Sequence, residues 1–130
     1  MRSLQKVLHV EDDPSIRTIA RLAIEAVGRL TLLSCENGKM ALAQAEDFSP
    51  DLILLDVMLP DMDGPAILKA LQRQMDLSEI PVIFMTAKVQ KTELDRFLSL
   101  GAFAVIPKPF DPMTLAQTLQ DHYERFHSGC

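Results

Sequence analysis

Leu52-Ile53-Leu54-Leu55-Asp56-Val57-Met58-Leu59-Pro60-Asp61-Met62-Asp63-Gly64 is the stretch that decides the fold. Four branched apolar residues in a row predict a strand buried on both faces, as in a parallel sheet covered by helices. The run stops at Asp56, a carboxylate closing a greasy strand. Residues 57–64 then turn away, with Pro60 and Gly64 as punctuation. Open parallel sheets bind ligands just beyond the carboxyl ends of their strands, and Asp56 stands at such an end. An Asp closing a strand also often caps a turn or the next helix. The stretch alone leaves both roles open.

Working outward, Lys6–Val10 reads as a short strand that runs into Glu11-Asp12-Asp13-Pro14. Asp13 suits the cap of the following helix and Pro14 its first position. Ile16, Ile19, Ala20, Ala23 and Val27 then recur at helical spacing until Gly28. Residues 30–35 predict a second strand. Glu36-Asn37-Gly38 leads into a helix carrying Met40, Ala41, Leu42 and Ala45. Beyond Gly64, Pro65 starts a helix with Ile67, Leu68 and Leu71 inward. Residues 82–85 form a fourth strand ending at Thr86-Ala87. Leu94, Phe97 and Leu98 mark a helix that Gly101 closes. Residues 103–106 form a fifth strand, ended by Pro107-Lys108-Pro109. Prolines there favour an edge position. Asp111 is expected to cap the last helix, with Pro112 in its first turn and Met113, Leu115, Ala116, Leu119, Tyr123 and Phe126 covering the sheet.

Strand and helix thus alternate five times, which predicts a doubly wound (βα)5 α/β domain with a parallel sheet. With the fifth strand at an edge the order is 2-1-3-4-5, and the switch point falls between strands one and three. Those strands end in Glu11-Asp12 and in Asp56.

A chain of 130 residues, nearly half of them apolar, can bury a core without staples. Its net charge of −5 argues against direct contact with nucleic acid or an anionic membrane. No apolar run is long enough to span a bilayer. The start carries no signal-peptide pattern, and Cys35 and Cys130 form no metal or redox motif, as expected of a cytoplasmic protein. Residues 128–130 read as a flexible tail.

In this fold Glu11, Asp12 and Asp56 converge on one crevice. Crowded carboxylates repel one another, and a bound cation removes that repulsion. Oxygen-only ligands with room for water suit a hard cation, Mg²⁺ before others. The same acidic turn could serve only to cap the first helix, a role that fits Asp13; strand direction aims Asp12 at the crevice. Lys108, at the end of the fifth strand, is either a structural ion-pair partner or a fixed positive point for an anionic group. Thr86 adds a hydroxyl to the same rim, or caps the segment after it. A nucleophilic carboxylate, a divalent cation, a cationic clamp and a hydroxyl donor are what phosphoryl transfer to a carboxylate needs.

Val10-Glu11-Asp12-Asp13-Pro14, residues 55–64, Met85-Thr86-Ala87 and Lys108-Pro109-Phe110, in that order at strand ends, resemble the receiver domain of two-component response regulators. The resemblance implies a flavodoxin-like receiver domain over residues 1–127, of the stand-alone type, that acts as a stoichiometric phosphoacceptor and not as an enzyme. Asp56 would take a phosphoryl group from a phosphohistidine on a sensor histidine kinase or histidine phosphotransfer protein. Mg²⁺ would be held by Asp12, Asp56 and the backbone carbonyl of Met58, with Glu11 acting through water. Lys108 would pair with a phosphoryl oxygen, and a cis peptide would join it to Pro109. Thr86, with Ala87 in the mobile loop after it, would close onto the phosphoryl group. The fourth helix, fifth strand and fifth helix would then present an altered surface to a downstream protein.

The chain departs from the family's pattern three residues before the lysine, where Val105 replaces the usual Tyr or Phe. Strand alternation puts Phe103 on the same face as Val105, so it either substitutes for that ring or belongs to the core. Met58 and Lys88 stand where the family tunes attack of water on the acyl phosphate. Neither orients water as a base, which predicts slow autodephosphorylation. Among rivals, Asp61-Met62-Asp63-Gly64 lacks the first and closing acids of a calcium loop. A flavin site would be repelled by the acids of the first loop. An aspartyl-phosphate phosphatase would want an acid where Met58 stands. A phosphorylation-independent interaction module of the same fold is the remaining alternative.

Overall fold

A computed structural model describes residues 3–87 and 90–129. Five parallel strands, β1 (Lys6–Val10), β2 (Thr31–Cys35), β3 (Leu52–Asp56), β4 (Val82–Thr86) and β5 (Ala104–Pro107), lie in the order β2-β1-β3-β4-β5. The helices between and after them are α1 (Pro14–Arg21), α2 (Gly38–Phe48), α3 (Gly64–Gln74), α4 (Lys91–Ser99) and α5 (Leu115–Ser128). The doubly wound arrangement expected from the alternation is present. No helix among the described residues is long and apolar enough to cross a membrane.

β3 occupies the centre because each of its faces has its own apolar partners. Leu52 and Leu54 pack with Ala20, Leu115, Ala116 and Leu119 beneath α1 and α5. Ile53 and Leu55 pack with Ala41, Ile67, Leu71 and Phe97 beneath α2, α3 and α4. All four are fully buried. Each contributes roughly 2 kcal/mol of transfer free energy, so the strand that delivers Asp56 to its position is also the one most firmly held. On the second face, Phe84 and Phe97 meet edge to face, with centroids 5.0 Å apart, the geometry favoured by the ring quadrupoles.

The structure corrects several expectations. α1 gives way at Leu22 to a π-helical segment, Leu22–Val27, in which Gly28 N–H donates to the carbonyl of Ala23. The wider turn breaks the 3.6-residue spacing, so Val27 is exposed; Ile19, in the regular helix before it, is exposed as well. β5 starts one residue later than expected, at Ala104. Asp111 does not cap α5. Its carboxylate accepts from Met113 N–H at 2.9 Å, and its carbonyl accepts from Thr114 and Leu115, closing a separate turn before the helix. That turn leaves Met113 at 70 % exposure, away from the sheet. Leu98 is likewise exposed. α5 runs through Ser128, one residue into the stretch expected as a tail. Cys130 lies outside the described residues.

Candidate functional site

Parallel strands in register bring their carboxyl ends to one rim. Val10 pairs with Leu55, Asp56 with Met85, and Thr86 with Pro107. The residue after each strand therefore emerges beside its neighbour. Val57 N–H donates to Met85 and Lys108 N–H to Thr86, which locks the loop starts to the sheet. The resulting cleft, about 600 Å³ in volume, is lined by Glu11, Asp12, Asp56, Met58, Thr86 and Lys108 among others.

The first loop is shaped by its own polar groups. Asp13 Oδ1 accepts from Ser15 N–H at 2.9 Å and Ile16 N–H at 3.4 Å, the helix cap expected of it. Asp13 N–H in turn donates to Glu11 Oε2 at 3.2 Å. Glu11 and Asp56 are almost fully buried, whereas Asp12 is exposed at the cleft's mouth. Lys108 bridges the buried pair, with its Nζ 2.7 Å from Glu11 Oε1 and 3.1 Å from Asp56 Oδ2. The other Asp56 oxygen accepts from Met58 N–H at 3.3 Å.

These contacts set the charges. Burial pushes the Glu11 carboxyl up; Lys108 pulls it down, Asp56 pushes it up again, and the balance is about 7. Burial alone would lower the Lys108 ammonium, but hydrogen bonds to Glu11 and Asp56 outweigh it and hold the group above its ordinary value. One ligand oxygen each from Glu11, Asp12 and Asp56 lie within 4.8 Å of one another. A set made only of carboxylate oxygens, in a cleft with space for water, fits a hard divalent cation such as Mg²⁺.

The pattern of the response regulator receiver domain matches residues 7–120. The chain belongs to the response regulator receiver-domain family. Over 121 aligned residues it is 38 % identical to the DNA-binding transcriptional regulator NtrC of Salmonella typhimurium, covering 88 % of this chain and 24 % of that protein. It is also 38 % identical to the phosphate regulon transcriptional regulatory protein PhoB of Pseudomonas aeruginosa, covering 95 % of this chain and 53 % of the relative. The receiver thus spans about a quarter to a half of these longer regulators. Among solved structures, the chemotaxis protein CheY4 of Vibrio cholerae superposes with a TM-score of 0.84 at 31 % identity, over 92 % of this chain and 98 % of that one. The BeF3-activated receiver domain of Klebsiella pneumoniae RstA gives 0.80 at 28 % identity, over 92 % of this chain and 98 % of that one.

Within this receiver, Thr86 is 6 % exposed and its neighbour Ala87 lines the same cleft. The Lys108–Pro109 peptide is cis. Val105 pairs with Phe84 and packs on the α4 side of the sheet. Phe103 does not share that face. It precedes β5, where alternation no longer applies, and its ring meets Phe126 and His122 of α5. Its N–H bonds to Val82, at the opposite end of β4 from Thr86. Four residues of strand, about 13 Å, separate it from the cleft. Lys88 lies outside the described residues.

Two residues of this neighbourhood escaped the sequence reading. Arg17 folds back from α1 onto the acidic turn, and His9 lies buried in β1. A basic residue following an acidic turn by one helical turn was the available sign for Arg17. For His9 it was a polar residue inside the apolar run of β1.

Proposed function

We propose that Asp56 is the phosphoacceptor of this receiver domain, loaded from a phosphohistidine on a sensor histidine kinase or histidine phosphotransfer protein. An Asp56 oxygen forms the new bond to phosphorus as the phosphorus–nitrogen bond breaks, and the imidazole leaves neutral, keeping the proton already on its other ring nitrogen. Lys108 carries the reading, because its ammonium stands 3.1 Å from Asp56 Oδ2 and faces the phosphoryl charge from within the protein. Asp12, Asp56 and the Met58 carbonyl, with Glu11 acting through water, would hold Mg²⁺, which when bound neutralises charge on both reacting groups. Thr86 then donates to a phosphoryl oxygen, and the faces of α4, β5 and α5 change toward a downstream protein. The acceptor works stoichiometrically, in the cytoplasm, without touching nucleic acid or membrane itself.

Labelling with acetyl phosphate in Mg²⁺ tests this. One phosphoryl group should appear by mass, map to Asp56 and vanish in Asp56→Asn; a label elsewhere, or one that survives the substitution, defeats the reading. The same sample, chased after removal of acetyl phosphate, measures decay. Met58, 76 % exposed, offers a thioether and no base to water, so the acyl phosphate should outlast minutes. Loss within seconds would refute slow autodephosphorylation.

A further inference from the structure

Arg17 does not face the cleft, yet it holds the turn that faces it. Its Nη1 donates to the backbone oxygen of Glu11 at 3.0 Å and to that of Asp12 at 2.8 Å. Its Nη2 stands 3.8 Å from a Glu36 carboxylate oxygen. The two carbonyls belong to the peptide planes on either side of Asp12. Pinning both planes fixes the φ and ψ of Asp12 and hence the direction of its Cα–Cβ bond. Asp12 is exposed, so packing does not aim its carboxylate; the backbone does. Glu11, by contrast, is buried and gripped by Lys108.

We propose that Arg17 is a positioning residue for the cation site, holding Asp12 in the orientation that completes the oxygen set with Glu11 and Asp56. The proposal rests on the assignment of Asp12 as a metal ligand. It makes a prediction opposite in sign to simple electrostatics. A guanidinium near a cation site repels the cation, so removing its charge alone would tighten binding. Removing the clamp frees Asp12 and weakens binding, as loss of a group that orients a ligand commonly does by tenfold or more. A guanidinium can span two carbonyls at once. Both carbonyl bonds leave one nitrogen, so a lysine ammonium keeps the charge and enough donors. Its shorter side chain lacks the reach and the second nitrogen that faces Glu36, and it replaces the clamp only in part.

The test is calorimetric titration of the unphosphorylated protein with MgCl₂, on the parent and on Arg17→Ala, Arg17→Lys and Asp12→Ala, with circular dichroism to confirm folding. Arg17→Ala should raise the Mg²⁺ dissociation constant about tenfold, with Arg17→Lys between it and the parent. An Arg17→Ala protein that is folded and binds Mg²⁺ as tightly as the parent, or more tightly, overturns the proposal. Should Arg17→Ala fail to fold, Arg17→Lys decides, and parental affinity in it has the same force. If Asp12→Ala binds like the parent, or the parent binds no Mg²⁺, the metal assignment itself falls and this inference with it. Weakening in Asp12→Ala without any in Arg17→Ala overturns this inference alone.

Discussion

Two buried groups within three residues pull the acid–base behaviour of the metal-free protein in opposite directions. His9 is fully buried, and neither ring nitrogen has a hydrogen-bond partner among the described residues. Burial, and then the charges of Lys108 and Arg17, push its imidazolium down to about 3 from 6.5. The unfolded chain therefore takes up this proton first. Stability from His9 is present above pH 6.5 and is lost as the pH falls toward 3, at up to about 1.4 kcal/mol per pH unit. Glu11 works the other way. Its carboxyl is raised to about 7 from 4.5, so the folded protein keeps this proton longer, and stability present below 4.5 is lost as the pH rises through 7. Between pH 4.5 and 6.5 the two slopes oppose. His9→Leu removes one of them. Urea unfolding without metal should show the variant gaining on the parent by roughly 2 kcal/mol as the pH is lowered from 6.5 to 4.5. A constant difference over that range would mean that the buried imidazole titrates as it does in water. Glu11 was legible in the sequence because it joins a run of acids. His9 gave a fainter sign, one polar residue in an apolar strand whose burial matches that of Val7 and Val10.

At the scale of elements, the hydrophobic alternation gave every strand and helix, and the errors collect where backbone geometry departs from a regular period. Phe103 reads as strand by composition, but its ring turns to α5, so the ladder begins at Ala104. Asp111 has the chemistry of a cap, yet closes a turn of its own. The π-helical segment Leu22–Val27 has no local signature, since the same residues would suit an α-helix. What sets it is packing. It delivers Gly28 against α5 so closely that a Cβ there would collide with Ala116 and lie 2.8 Å from the carbonyl oxygen of Ile24. Gly28 has φ −83°, so close approach, not an unusual dihedral, is what requires glycine. Gly28→Ala should cost about 2 kcal/mol by overpacking, roughly 6 °C in Tm. Thermal melts of both single variants and of Gly28→Ala/Ala116→Gly form a double-mutant cycle. If the collision is with Ala116, the double variant should melt well above the sum of the two losses. Strict additivity would place the strain elsewhere.

For the whole molecule, the legible part of the site followed from topology. Glu11, Asp12, Asp56, Thr86 and Lys108 are spread over almost the whole chain, and the rule that strand ends share one rim gathers them without knowledge of any contact. What the rule could not supply is how that rim is braced, because the Arg17 clamp depends on side-chain reach. The same topology concentrates negative charge at one end of a protein that already carries a net −5. Like charges there oppose folding, and any cation bound only by the folded state offsets them by mass action. At a hundredfold excess of Mg²⁺ over its dissociation constant the gain is about 2.7 kcal/mol, or some 8 °C in Tm for a domain of this size. The exposed position of Asp12 makes it the separable member of the set, since removing it leaves the buried Glu11–Lys108–Asp56 contacts in place. Asp12→Ala should therefore melt near or above the parent without metal, having lost one repelling charge, and should show little of the Mg²⁺-dependent rise. Differential scanning calorimetry across a Mg²⁺ series separates the two effects. A variant that gains as many degrees as the parent would show that the cation is held without Asp12.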